Sequence, residues 1–119
     1  MRTIVCGSRD APLFAVAVAL ARCGWTPSVV LSGGARGADA HGEAWAKGAG
    51  IPVERYPADW DRHGKVAGFM RNAEMVTRAE AVVAVWDGSS HGTADTVRLA
   101  TEAGLRVFVH QYAGEGAPR

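Results

Sequence analysis

The sequence predicts a small doubly wound α/β domain, a parallel sheet of about five strands with helices on both faces. Three observations carry that expectation. Short β-branched runs alternate with longer helical patterns along the chain. The strand runs are apolar almost without interruption, as in Ala81-Val82-Val83-Ala84-Val85, which suits strands covered on both faces. Glycines stand where helices would stop.

Element by element, the strands are Thr3–Cys6, Ser28–Leu31, Val53–Tyr56, Ala81–Trp86 and Arg106–His110, with helices near 11–23, 37–49, 67–79 and 92–103. Leu13, Val16, Ala17 and Leu20 fall at i, i+3, i+4 and i+7, the spacing of one helical face, and so do Val97, Ala100, Thr101 and Gly104. Gly24, Gly50 and Gly104 each follow a helix at the position where a left-handed residue ends it. Strands alternating with helices make βαβ units, whose crossovers are right-handed and whose strands are parallel. At 119 residues there is room for one core and not two. Residues 1–112 are expected to form a single domain and Ala113–Arg119 a frayed tail.

Apolar residues make up 48% and charged residues 21%, the balance of a globular chain. Thirteen Lys and Arg against 12 Asp and Glu leave a net charge of +1. A dedicated nucleic-acid binder carries an excess of positive charge, so that class is disfavoured. Cys6 and Cys23 form no CxxC pair, which leaves no zinc framework or disulfide scaffold and suits reduced thiols in a cytoplasmic protein. Arg2 and Arg9 ahead of the apolar run Ala11–Ala21 imitate a secretory leader. Asp10 directly before the run argues against it, and cleavage would remove the first strand. The run reads as a buried helix capped by Asp10, too short to cross a bilayer.

In a doubly wound sheet, ligands bind beyond the carboxyl ends of the strands, so the segment after each strand is informative. The first strand leads into Gly7-Ser8-Arg9-Asp10 and the second into Ser32-Gly33-Gly34-Ala35-Arg36-Gly37-Ala38-Asp39. The third leads into Pro57-Ala58-Asp59-Trp60 and on to Gly64-Lys65, the fourth into Asp87-Gly88-Ser89-Ser90-His91-Gly92-Thr93. Four glycine-containing polar loops on one edge exceed what packing requires. In the second loop, Gly33 and Gly34 remove Cβ atoms from the path of a phosphate. Gly37 opens a helix whose amides favour an anion, and Arg36 can add a charged contact. Alone, this segment reads equally as a structural elbow, since it is neither G-x-G-x-x-G nor a P-loop. Gly88, Ser89, Ser90, Gly92 and Thr93 repeat the logic at a second helix start, and two such elbows on one edge favour binding.

The third loop is long and places Trp60 among charges, either as a lid or stacking platform or as a surface aromatic folded back on the sheet edge. Arg71 and Asn72 lie in the following helix with Glu74 at i+3. Arg71 matters to a site only if it points inward, the alternative being a solvated pair with Glu74. His41-Gly42-Glu43 imitates the H-x-E of zinc deaminases, but no P-C-x-x-C follows, so no metal is expected. Ser89, Ser90 and His91 lack a G-x-S-x-G elbow, and His63 and His110 lack partners. Trp25, Trp45 and Trp86 read as packing residues.

Three segments together resemble the YspA-like, cpYpsA-related branch of the SLOG superfamily: SGGARGADAHGEAWA at Ser32–Ala46, YPADWDRHGKVAGFMRN at Tyr56–Asn72 and WDGSSHGTADTVRLA at Trp86–Ala100. The resemblance implies a Rossmann-like sheet in the order 3-2-1-4-5 that binds nucleotides or nucleotide-derived ligands. Relatives include the LOG-type phosphoribohydrolases and the single-strand-binding DNA-processing protein DprA. The LOG-type pattern P-G-G-x-G-T-x-x-E aligns with Asp87–Thr96 through Gly92-Thr93, which puts Thr96 where the family has its glutamate. Asp95 is one residue early, a rotation of about 100° on a helix. The other family motif's arginine matches Arg71.

The leading expectation is therefore binding or sensing of a nucleotide-like phosphate compound. Its expected contacts are Gly7, Ser8, Arg9, Gly33, Gly34, Arg36, Gly37, Asp39, Asp59, Trp60, Lys65, Arg71, Asn72, Asp87, Gly88, Ser89, Ser90, Gly92 and Thr93, with no other cofactor. Hydrolysis of a nucleoside 5′-monophosphate is the alternative. It needs Arg71 to position substrate and Asp59, Asp87 or Asp95 to act as the acid. DprA-like single-strand binding is the third. The resemblance also implies a homo-oligomer, a dimer first.

Overall fold

The computed structural model describes residues 1–112; the expected tail, Ala113–Arg119, lies outside the described residues. The strands are β1 (Arg2–Gly7), β2 (Val29–Ser32), β3 (Val53–Arg55), β4 (Ala81–Trp86) and β5 (Arg106–Gln111). The helices are α1 (Leu13–Arg22), α2 (Ala38–Gly48), the short α3 (Trp60–His63), α4 (Ala67–Arg78) and α5 (His91–Glu102). A 3-10 turn, Gly64–Val66, joins α3 to α4. All four strand pairings are parallel and the order is β3-β2-β1-β4-β5. The doubly wound Rossmann-like architecture expected from the sequence is the architecture of the protein.

Strand alternation explains the two cores. Ile4, Cys6, Leu31, Val82 and Ala84 face one side of the sheet and pack with Met75, Val76 and Ala100 from α4 and α5. Val5, Val30, Val83 and Val85 face the other, under Ala15, Val16, Ala19 and Leu20 of α1 and Ala38 and Ala46 of α2. Full burial of each such valine or isoleucine contributes roughly 1.5–3 kcal/mol. Gly42 of α2 sits on Val5, and a Cβ there would lie 2.6 Å from Val5 Cγ1, so its absence sets how closely α2 lies on the sheet. Gly24, Gly50 and Gly104 all have positive φ just beyond α1, α2 and α5, as the helix-stop reading requires.

The helical faces differ from the periodicity reading. In α1, Ala15, Val16, Ala19 and Leu20 are buried, whereas Leu13 and Phe14 are 51% and 78% exposed and Ala17 faces solvent. A run apolar at almost every position does not define a face by periodicity; the sheet takes the alanines because they allow close approach. In α5 the buried set is Thr93, Thr96 and Ala100, while Thr101 and Gly104 are exposed. Asp10 does not cap α1: Pro12 occupies the N-cap with no side-chain bond, and Asp10 Oδ1 instead accepts the Tyr112 hydroxyl at 2.6 Å. The third connection is not an open loop but carries α3 and the 3-10 turn. Among the described residues no helix is long and apolar enough to cross a membrane.

Right-handed crossovers place α1 and α2 on one face as the chain steps outward from β1 to β3, and α4 and α5 on the other after it returns to β4. The direction reverses between β1 and β4, and above their carboxyl ends the connections diverge and leave a crevice.

Candidate functional site

The cleft above β1 and β4 has two chambers. The inner one, about 270 Å³, is lined by Gly7 at the end of β1, Asp39 of α2, Asn72 and Met75 of α4, and Ser90, Gly92, Thr93 and Thr96 at the start of α5, with Cys6 also in the wall. The outer one, about 480 Å³, is bounded by Gly33, Gly34, Arg55, Pro57, Ala58 and Trp60. Arg9, Ala35 and Arg71 belong to both. A hollow of about 570 Å³ between α2 and β3 shares only Arg55 with this cleft.

Arg71 points inward. Its Nη1 donates to the Gly33 carbonyl at 2.7 Å and its Nε to Asn72 Oδ1 at 2.9 Å, and Glu74 is 3.9 Å from Arg78 instead. Asn72 is buried and continues the network: its Nδ2 reaches the Gly92 carbonyl at 3.4 Å and Asp95 Oδ2 at 3.3 Å. The guanidinium is thus held between the second loop and Asn72 of its own helix, which is in turn tied to α5, before any ligand arrives.

At the start of α5, Ser90 is the N-cap and its hydroxyl accepts from the Thr93 amide and lies 3.1 Å from Thr93 Oγ1. Among the described residues the His91 and Gly92 amides donate to no protein group. No acidic residue occupies the first turn itself; the carboxylate nearest the helix start, Asp87, is taken up by the Ser89 and Ser90 amides and leaves those of His91 and Gly92 unengaged. A Cβ at Gly92 would meet nothing within 4 Å. Thr96 is 2% exposed and donates its hydroxyl to the Gly92 carbonyl at 3.2 Å.

Other expected contacts serve the protein itself. Ser8 is 1% exposed; its carbonyl accepts from Ala11 at 3.1 Å and Ala38 at 3.2 Å, and its hydroxyl accepts from the Asp87 amide at 3.0 Å. A Cβ at Gly37 would collide with the Arg9 carbonyl, so that glycine permits contact between two loops rather than approach of a ligand. The Gly34 amide donates to Ser32 Oγ at 3.1 Å and the Ala35 amide to Asp39 Oδ2 at 3.3 Å. Asp87 Oδ1 accepts from the Ser89 and Ser90 amides at 2.8 and 3.0 Å, bonds that hold its carboxyl below the usual range. Gly88 lies against Gln111. Arg36, Lys65, Asp87, Gly88 and Ser89 line neither chamber.

The acids expected to be catalytic are engaged elsewhere. Asp59 Oδ1 caps α3 through the Arg62 amide at 3.1 Å, and the residue lines an adjoining hollow of about 170 Å³ that shares Pro57, Ala58 and Arg71 with the outer chamber. Asp95 is absent from the cleft walls and accepts from Arg98 at 3.0 Å. The carboxyl that does line the cleft is Asp39. Burial pushes its pKa up to about 6, against the pull of the Ala35 amide and Arg71. Burial also raises the Cys6 thiol, which stays neutral.

Trp60 is 53% exposed at the rim, its ring beside Gly68. Trp25 is a packing residue: its indole donates to Thr3 Oγ1 at 3.0 Å and the Arg106 guanidinium lies 4.7 Å from its ring centroid. Among the described residues no group of His, Cys, Asp and Glu side chains is placed to hold a metal. Sequence reasoning did not select Arg55: the predicted strand ran to Tyr56 and enclosed it, whereas β3 ends at Arg55 itself. Thr96 entered only as the residue in place of a glutamate, and its position in the cleft wall was not foreseen.

Comparison with known proteins bears on the first half of the chain. The model of the YspA, cpYpsA-related SLOG family matches residues 1–63, which carry β1 to β3 and the first two loops. The chain is also similar to the Gene 61 protein of Mycobacterium phage D29, 44% identical over 86 residues that cover 67% of this chain and 69% of the phage protein. With more than half the chain matched, the sheet order and the strand-end loops find their common explanation: the chain belongs to the YspA, cpYpsA-related SLOG family.

Proposed function

We propose that the chain binds a nucleotide or nucleotide-derived phosphate compound in the cleft above β1 and β4. The observation that carries this reading is the convergence of the α5 start with Arg71 on one inner chamber. The two unpartnered amides and the Thr93 hydroxyl are donors for phosphoryl oxygens, and Arg71 supplies the charge. Because Gly33 and Asn72 already hold its guanidinium, little side-chain entropy is lost on binding. Trp60 at the outer rim offers a face on which a base can stack. Family membership supports a nucleotide-related ligand, without fixing which one. The test is a thermal-shift panel of mono-, di- and cyclic nucleotides at millimolar concentration. Selective binding to the folded state raises the melting temperature, and Arg71→Ala removes the rise. A panel that gives no shift at all rejects the reading.

A second reading, hydrolysis of a nucleoside 5′-monophosphate to base and ribose phosphate, is favoured by Asp39. A carboxyl that lines the chamber and keeps a proton close to neutrality is suited to protonating a departing base. Free base detected by chromatography, and lost in Asp39→Asn, supports it; absence of release from purine and pyrimidine monophosphates removes it. The family resemblance also motivates a homodimer, which light scattering decides.

A further inference from the structure

We infer that the cleft takes a nucleotide carrying two phosphoryl groups, the second lodged in the outer chamber against Arg9 and Arg55. This rests on the nucleotide reading above and narrows its ligand class. The two ends of the cleft offer different anion donors. Ser90, Gly92 and Thr93 line only the inner chamber, and of the two chambers Arg55 lines only the outer one. Arg55 ends β3, whereas the α5 start follows β4, and β2 and β1 lie between them in the sheet. Three strand spacings of about 4.8 Å separate those strands by about 14 Å, so the two donor sets enter the cleft from opposite ends.

The charge of the outer chamber makes the same point. Its ionisable wall residues are three arginines, Arg9, Arg55 and Arg71, and no carboxylate lines it, in a chain whose net charge is only +1. A neutral base resting on Trp60 does not call for three guanidinium groups. A phosphoryl group does, since the Arg9 guanidinium and the N–H groups of Arg55 and Arg71 not engaged by Glu43, Asn72 and Gly33 can donate to it. Arg9 has no hydrogen-bond partner among the described residues. Arg55 is 70% exposed and forms an ion pair with Glu43, whose Oε1 accepts from Arg55 Nε at 2.8 Å and also from its Nη2. Glu43 is itself fixed by the Ser32 hydroxyl at 2.6 Å. Space is available too: Gly34 has φ +77°, and a Cβ there would meet nothing within 4 Å.

Calorimetric titration of the 5′-monophosphate, 5′-diphosphate and 3′,5′-bisphosphate of each of the four common ribonucleosides tests the inference. For at least one base, a doubly phosphorylated probe should bind at least tenfold tighter than its monophosphate; which one wins tells adjacent phosphates from separated ones. Arg55→Ala should bring that ratio close to one, Arg55→Lys should keep only part of it, and Glu43→Gln, which releases Arg55 from its counter-charge, should increase it. A wild-type ratio near one, with monophosphate bound, overturns the inference and leaves the nucleotide reading standing. So does a ratio indifferent to Arg55→Ala, and so does a single-stranded oligonucleotide that outcompetes every small probe. If no probe binds, both readings fall together.

Discussion

Asp39 is the residue whose environment departs furthest from its place in the sequence motif. It is 6% exposed, and burial has carried its carboxyl from an ordinary value of 3.8 to about 6. An acid raised on folding supports the fold fully below its unfolded pKa, and that support is lost as pH rises through the folded value. Stability should therefore decline between about pH 4 and 7. At about 1.4 kcal/mol per pKa unit the swing is about 3 kcal/mol at most. Asp39→Asn should flatten this slope and gain on wild type at pH 8, as read by urea unfolding at pH 4.5 and 8; an unchanged slope would assign the pH dependence to other groups. The sequence placed Asp39 in a glycine-rich loop and made it a ligand contact. Asp95, one residue off the family's acid position, was marked by its helical offset as turned away, and it pairs with Arg98; nothing local showed that Asp59 and Asp87, equally acidic and near equally suggestive glycines, would turn to backbone amides. Side-chain direction at a loop is decided by neighbours distant in sequence, and that information is absent from a local motif.

At the scale of elements, the two glycine-opened helices have different jobs although they look alike in sequence. Gly37 at the start of α2 has φ +76° and abuts the Arg9 carbonyl, whereas Gly92 in α5 faces open space. Gly37→Ala should cost roughly 1–3 kcal/mol or more of stability, from backbone conformation and collision together. Gly92→Ala should leave the melting temperature unchanged or slightly raised, because alanine is the better helix former by up to about 1 kcal/mol, while its methyl group narrows the chamber and weakens nucleotide binding. Equal effects of the two variants on stability would contradict this division. The strands and the four longer helices were legible almost to their ends, though α3 was not, because β-branched runs, helix-stopping glycines and strand–helix alternation all pointed the same way. The faces of α1 and α5 were not. In α1 nearly every residue is apolar, and in α5 the buried positions include Thr93 and Thr96, whose hydroxyls find partners at Ser90 and Gly92. Nor does the hydrogen bond from Tyr112 that diverts Asp10 from its expected cap leave any local mark.

Over the whole molecule, the parallel winding gathers residues from β1, β3, α4 and α5 around one crevice, so a near-neutral chain acquires a locally positive cleft. Nucleotide affinity should accordingly weaken several-fold between about 50 and 500 mM salt, as counter-ions screen the arginines. A salt-independent affinity in the same titration would place the ligand elsewhere.

The crevice also owes its shape to Ser8, whose carbonyl and hydroxyl fasten the turns after β1 and β4 and the start of α2 to a single buried point. Such a rivet couples three stretches of backbone, so none of them can hinge alone. The cleft is poised in advance, and the proposed nucleotide would enter it much as a key enters a cut lock, without first having to draw the walls together.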